Sequence, residues 1–385
     1  MRVNRIADVF WAFLVLGLTA FGGPIAHLGY FRDAFVTRRR WLDDESYGDL
    51  VALCQFLPGP TSSQVGFALG LMRAGWGGAL AAWVGFTLPA ALLMAGFAWL
   101  AVRLDGAAAL GALNGLKIVA VAIVAQAVLG MARSLTPDAP RATIALGAVT
   151  ILALLPAPFA MPLAIAAGAA AGLLLAPPAI TARSPMPLVT ASAGRLAAAA
   201  LVILLIALPL IAPLHETLAL IDRFFRAGAL VFGGGHVVLP LLETELVPHI
   251  ISEDAFLAGY GAVQAVPGPL FSFAAYLGAL EMAGIGALIA VLAIFVPGVL
   301  VLIAVLPFWP ALRSHPRAAR LMSGANAAVV GVLGAALYTP VFTSAISDML
   351  DFALALGGFV ALVVWRLPPW LVVLGAASIG AMLAL

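Results

Sequence analysis

Apolar runs recur along the whole chain, at 80–100, 118–131, 196–212, 288–307 and 352–364, with polar residues gathered in the intervals between them. Several runs approach the roughly 20 residues that a helix needs to cross a bilayer. Lipid admits only spans whose backbone is hydrogen-bonded within the segment, or closed barrels. Short alternating strands of the barrel kind do not occur in the sequence. The pattern predicts an all-α polytopic membrane protein. The opening "RVNRIADVFWAFLVLGLTA" resembles a secretory leader, but apolar segments continue along the chain, so it is read as an uncleaved first helix.

The chain also repeats itself. "AFGGPIAHLGYFRDAFV" at 20–36 resembles "VFGGGHVVLPLLETELV" at 231–247. The stretch 51–89 resembles 261–297, setting Gln55 against Gln264, Pro58 against Pro267, Gly75 against Gly284 and Phe86 against Phe295. Residues 114–130 resemble 323–338. A nearly constant offset marks an internal duplication. The expected organisation is a first repeat at 1–180, a linker at 181–214 with one connecting helix, and a second repeat at 215–385.

Charge orients these repeats. The loop after the first GGP carries Arg32, Arg38, Arg39 and Arg40, whereas its counterpart carries Glu243, Glu245, Glu253 and Asp254. Farther on the bias reverses: Arg103 and Asp105 stand against Arg313, Arg317 and Arg320. Cytoplasmic loops collect Lys and Arg. Equivalent loops of opposite sign therefore predict repeats of inverted topology, a hallmark of secondary transporters. The walk gives about nine full crossings plus four re-entrant elements, or about 13 crossings if every broken segment spans.

Four breaks fall at matched places: Gly22-Gly23-Pro24, Pro58-Gly59-Pro60, Gly233-Gly234-Gly235 and Pro267-Gly268-Pro269. Proline removes a donor and glycine frees the backbone, so each should end one half-helix and start another. Such backbone is tolerated at membrane depth only where it is buried in protein or lines a wet cavity. A half-helix starting there points free N–H groups and its positive dipole end inward, which suits an anion. Thr61, Ser62 and Ser63 add hydroxyls to one such turn and Ser272 to another. His27 and His236 follow the glycine breaks and could titrate near neutral pH; with Glu243 they are the proton-coupling candidates. Gln55 and Gln264 precede the PGP turns and either cap them or donate to an oxyanion. Lys117, inside an apolar span, is a functional candidate or an interfacial lysine. Arg226 either approaches the site or pairs with Asp222. Arg73 either guides anions or sets topology.

Composition narrows the classes. The chain is 64% hydrophobic and 9% charged, against about 25% charged in soluble domains. A net charge of +2 gives no reason to expect a nucleic-acid partner, and a single cysteine, Cys54, rules out a disulfide framework or a thiolate metal site. HExxH, CxxC, GxSxG and Walker motifs do not occur. No enzyme activity, cofactor or metal site is expected. The partners are the lipid bilayer, an anion, and protons or another coupling ion; a homodimer is compatible with this reading.

The segment "FGGPIAHLGYFRDAFVTRRRWLDDESYGDLVALCQFLPGPTSSQVGFALGLMRAGWGGALAAWVGFTLP" closely resembles the signature region of the chromate ion transporter family, and "FGGGHVVLPLLETELV" with "VQAVPGPLFSFAAYLGA" resembles the family's second repeat. The resemblance covers both halves, as in the long two-domain form. It implies efflux of chromate across the bacterial inner membrane, driven by the proton motive force and conferring chromate resistance. Sulfate, of similar shape, is the natural competitor. The residues themselves leave a carrier of sulfate or another oxyanion, or an anion channel, open.

Overall fold

In a computed structural model of the protein, residues 2–103, 106–155, 157–175, 189–232, 235–313 and 315–385 are described. Among them every regular element is helical. The first repeat supplies α1 (Arg2–Thr19), α2 (Gly23–Phe31), α3 (Asp44–Phe56), α4 (Thr61–Ala101), α5 (Ala107–Leu135), α6 (Ala139–Leu154) and α7 (Ala157–Gly172). After α8 (Ala191–Ile211) come α9 (Glu216–Leu230), α10 (Val238–Leu246), α11 (Glu253–Val263) and α12 (Phe273–Val305). The chain ends with α13 (Trp309–Arg313), α14 (Pro316–Ala336), α15 (Thr343–Ala345), α16 (Met349–Val363) and α17 (Pro369–Leu383). Among the described residues, five stretches are long and apolar enough to cross a membrane: Thr61–Ala101, Ala107–Leu135, Ala191–Leu214, Leu270–Phe308 and Pro316–Ala345. Gly233, Gly234, Asp105 and the part of the linker at 181–188 lie outside the described residues.

Local signals recur with the repeat. The Asp43 carboxylate caps α3 by accepting from the Ser46 amide, and Ser252 caps α11 by accepting from the Ala255 amide. Each such cap satisfies one amide that the helix leaves without a partner. The Ser46 hydrogen bond also holds the Asp43 carboxyl below the usual carboxylate range.

The two longest helices are each folded back on themselves. In α4 the backbone leaves helical geometry at Ala74 (φ −144°) and Gly75 (φ 69°), and in α12 at Met282 (φ −136°) and Ala283 (φ 52°). A Cβ added to Gly70 would come 2.3 Å from the Gly78 carbonyl oxygen and 2.8 Å from the Ala82 Cβ. One added to Gly278 would meet the Gly286 oxygen at 2.3 Å and the Ala290 Cβ at 2.6 Å. Twelve residues of straight helix extend about 18 Å, so Gly70 can touch Ala82 only if the chain reverses. Residues 61–73 and 273–281 are therefore short arms packed on longer helices, 76–101 and 284–305. Each PGP turn sits at the far tip of a short arm.

This geometry also corrects the sequence register by one residue. The left-handed position is Gly75 in one repeat and Ala283, not Gly284, in the other. A Cβ in left-handed backbone costs about 1–2 kcal/mol. Ala283→Gly is expected to stabilise the protein by about 1 kcal/mol, read as a higher midpoint of thermal unfolding in detergent. A midpoint that stays or falls would contradict the assigned turn.

The chain forms two compact units, each drawing on both sequence repeats: Met1–Gly96 with Ile180–Gly235 and Val266–Ser314, and Phe97–Ala179 with His236–Ala265 and His315–Leu385. In the first unit α12 packs on α8 and α9. A Cβ at Gly17 of α1 would lie 2.8 Å from the Gly85 and Phe86 carbonyl oxygens, and one at Gly228 of α9 would lie 2.1 Å from the Ile294 oxygen. Thus α1 meets α4 as α9 meets α12, and Phe13, Phe31, Phe35 and Phe86 fill the core beside that contact. In the second unit α5 packs on α11, α16 and α17, and α14 on α6 and α7. Glycines again bring backbones together, Gly111 against Gly380 and Gly172 against Gly324, as small residues do where lipid offers no hydrophobic drive to association.

Candidate functional site

The breaks of the first unit are tied to one another reciprocally. The Gly59 amide donates to the Val231 carbonyl at 2.7 Å, and the Gly268 amide donates to the Ala20 carbonyl at 3.0 Å. Ala20 closes the first half-helix before GGP, and Val231 occupies the same place before GGG. Each PGP turn therefore caps the broken helix of the other repeat, supplying a donor to a carbonyl the break had orphaned. Such mutual exchange is what a two-fold relation between like elements produces. Both turns need glycine: Gly59 has φ 119° and Gly268 φ 106°. The glycine breaks meet as well, with Pro24 3.3 Å from the Cβ position of Gly235.

The first tip is polar and closed to solvent. His27 is fully buried, edge-on to Phe86, with Nε2 3.2 Å from the Ala20 carbonyl and Nδ1 3.3 Å from Ser62 Oγ. A carbonyl only accepts, so Nε2 carries the proton, and in the neutral ring Nδ1 accepts from the Ser62 hydroxyl. Gln64, 1% exposed, donates from Nε2 to the Pro58 and Gly298 carbonyls, both at 2.9 Å. These bonds fix the amide and leave Gln64 Oε1 buried without a partner; Ser63 Oγ is in the same condition. Buried polar groups nearly always find partners, so two orphans in one helical turn mark a place where a ligand or water belongs. The first-turn amides that follow Pro60 point the same way.

The second tip is greasier. Leu270, Phe271 and Phe273 surround Ser272, whose fully buried hydroxyl also has no partner. In the alignment of the repeats, Val238 stands where the first repeat has His27.

Gln55 is exposed on α3. Arg226 pairs with Asp222, with 2.8 Å between NH2 and Oδ2. Within the second unit, Lys117 pairs with Asp254 at 2.7 Å. There His236 Nδ1 and the Tyr260 hydroxyl are 2.8 Å apart, Glu243 is half-buried on α10, and Gln264 Nε2 is a further buried orphan. Sequence reasoning missed Gln64. Its one signal was a fourth polar side chain in the run Thr61-Ser62-Ser63-Gln64 of an apolar hairpin.

Helices broken at matched positions of two repeats, with their tips joined inside one helical body, define a membrane transport protein. The chain belongs to the chromate transporter family, whose profile matches residues 7–173 and 218–381. It is 28% identical to a chromate transport protein of Cupriavidus metallidurans over 96% of this chain and 90% of that one. A chromate transport protein of Pseudomonas aeruginosa is 28% identical over 85% and 79% of the two chains. An uncharacterized transporter of Methanocaldococcus jannaschii is 25% identical over 80% and 77%. No solved structure matches the chain significantly.

Proposed function

We propose that the chain is a secondary carrier that exports chromate across the bacterial inner membrane, coupled to the proton motive force. The observation that carries this reading is the closed polar tip at Thr61–Gln64, where the unpartnered Ser63 hydroxyl lies beside the amides of a half-helix N-terminus. Amide and hydroxyl donors can replace the water shell of a tetrahedral dianion without a lysine in the site. The Gly22–Pro24 break, the PGP turns and Ser272 complete the binding region in this reading. The inverted arrangement follows from the loop charges, and alternating access from rocking one repeat's half-helices against the other's. His27 is the proton carrier at this tip: a charged ring would donate from both nitrogens, and Ser62 would have to turn. His236 and Glu243 remain proton candidates of the second unit.

Uptake of labelled chromate into inside-out vesicles, with and without a pH gradient, tests this. Uptake is expected to saturate, to rise with the gradient and to fall when sulfate is added. Absence of saturable chromate uptake would remove the assignment while leaving the fold unaffected.

A further inference from the structure

The first unit holds two cavities at equivalent places in the two repeats. One, of about 140 Å³, is lined by Arg5, Trp41, Leu42, Leu69, Met72 and Arg73. The other, of about 620 Å³, is lined in part by His215, Glu216, Ala219, Arg223, Glu281 and Met282. Each lies between the start of a first helix, α1 or α9, and the end of a short arm, 61–73 or 273–281. The contact of α1 with α4 repeated by α9 with α12 sets Arg5 against Glu216, and the two fold-backs set Arg73 against Glu281. The positions correspond, but the charges are opposite.

The ion pairs sharpen the contrast. Asp8, the acid near Arg73, is 3.9 Å from it and already bonded to Arg39 at 2.8 Å. Arg73 and Arg39 lie over the Trp41 ring, 5.2 and 5.9 Å from its centroid, and Arg5 has no salt bridge among the described residues. This cavity keeps a surplus of positive charge. In the other, Arg223 is held by Glu281 at 2.6 Å, both being largely buried. Glu281 Oε2 is a buried orphan, and Glu216 adds a second carboxylate.

We propose that the Arg5–Arg73 cavity is the loading mouth for the oxyanion and the Arg223–Glu281 cavity its release mouth. Inverted repeats place equivalent cavities on opposite faces, so this inference rests on the transport reading above. A cavity of one sign raises the local concentration of the opposite ion and its on-rate by 10–10³-fold, an effect that weakens with salt. The carboxylates of the other mouth oppose return of a dianion, and the one guanidinium there is already engaged. The two faces are thereby given different KM values by reversing the charge on two copies of one element, while the driving force sets the net direction.

Labelled chromate flux is measured with the full chain in inside-out and right-side-out vesicles. Arg73→Gln is expected to raise KM roughly tenfold for loading from the arginine face, with kcat little changed and the salt dependence flattened. Arg73→Lys restores most of it, and loading from the opposite face keeps its KM. Glu281→Gln lowers KM from that opposite face only. If Arg73→Gln fails to accumulate, Arg5→Gln carries the same expectation. An unchanged KM, or an equal rise from both faces, overturns the assignment of mouths while wild-type flux still saturates. Wild-type vesicles without saturable flux would remove the transport reading and this inference together.

Discussion

Gly70→Ala and Gly278→Ala will each destabilise the protein by about 2–3 kcal/mol, with loss of folded material in detergent. The added methyl would stand 2.3 Å from the carbonyl oxygen of Gly78 or Gly286. That partner is backbone of the neighbouring arm, with no rotamer to yield, so the arms must separate; forced overpacking of this kind costs about 1–3 kcal/mol. The sign is what decides. In an uninterrupted helix the same changes would stabilise by roughly 0.5–1 kcal/mol, because alanine loses less backbone freedom than glycine. Gly96→Ala is the internal control: its Cβ position meets nothing within 4 Å, and it should stabilise by that smaller amount. Chemical denaturation of the three variants in one detergent separates the cases. Stabilisation at all three sites would mean that residues 61–101 and 273–305 are straight rods and that the PGP turns are not the tips of short arms.

The sequence disclosed the repeats and their breaks because both depend on residue types with fixed backbone consequences. Pro58, Gly59 and Pro60 cannot continue a helix, and their copies at 267–269 announce the same event. What followed the breaks was less legible. The fold-back in α12 sits on Ala283, an alanine in left-handed backbone. The alignment sets Gly284 against Gly75, whereas the backbone places the left-handed position one residue earlier. Pairings across long separations had no local trace: Lys117 finds Asp254, and Gln64 spans to Gly298, only because helices distant in sequence are packed together. Arg226 with Asp222 was legible, since residues four apart share a helix face. Gln55 shows the limit of symmetry as a guide. It copies Gln264 in sequence, yet it is exposed while Gln264 is half-buried, so a matched residue need not have a matched environment.

Ser63→Ala offers the sharpest separation of structure from function at the first tip. Ser63 is 5% exposed and its hydroxyl has no partner in the folded protein. Removing a buried hydroxyl that bonds nothing forfeits no internal hydrogen bond and relieves its desolvation penalty, so stability should hold or rise slightly. A hydroxyl that donates to a charged ligand is worth about 1.5–3 kcal/mol, so its loss should raise the KM for chromate roughly ten- to hundredfold. Gln64→Leu should behave differently. It strips the Pro58 and Gly298 carbonyls of their donor, and orphaned buried carbonyls cost about 1–3 kcal/mol each, so stability and transport should fall together. Thermal unfolding and vesicle transport measured on both variants distinguish a ligand contact from a structural bolt. Ser63→Ala with unaltered KM would mean that the orphaned hydroxyl faces water and that the dianion is held elsewhere. Ser272→Ala, stripped of an equally unpartnered hydroxyl among phenylalanines, then shows whether the second tip shares the load. If the first tip is the main binding surface, the Ser272 variant should shift KM by less than the Ser63 variant does, because Leu270, Phe271 and Phe273 surround Ser272 where the first tip sets the Ser62 and Ser63 hydroxyls side by side.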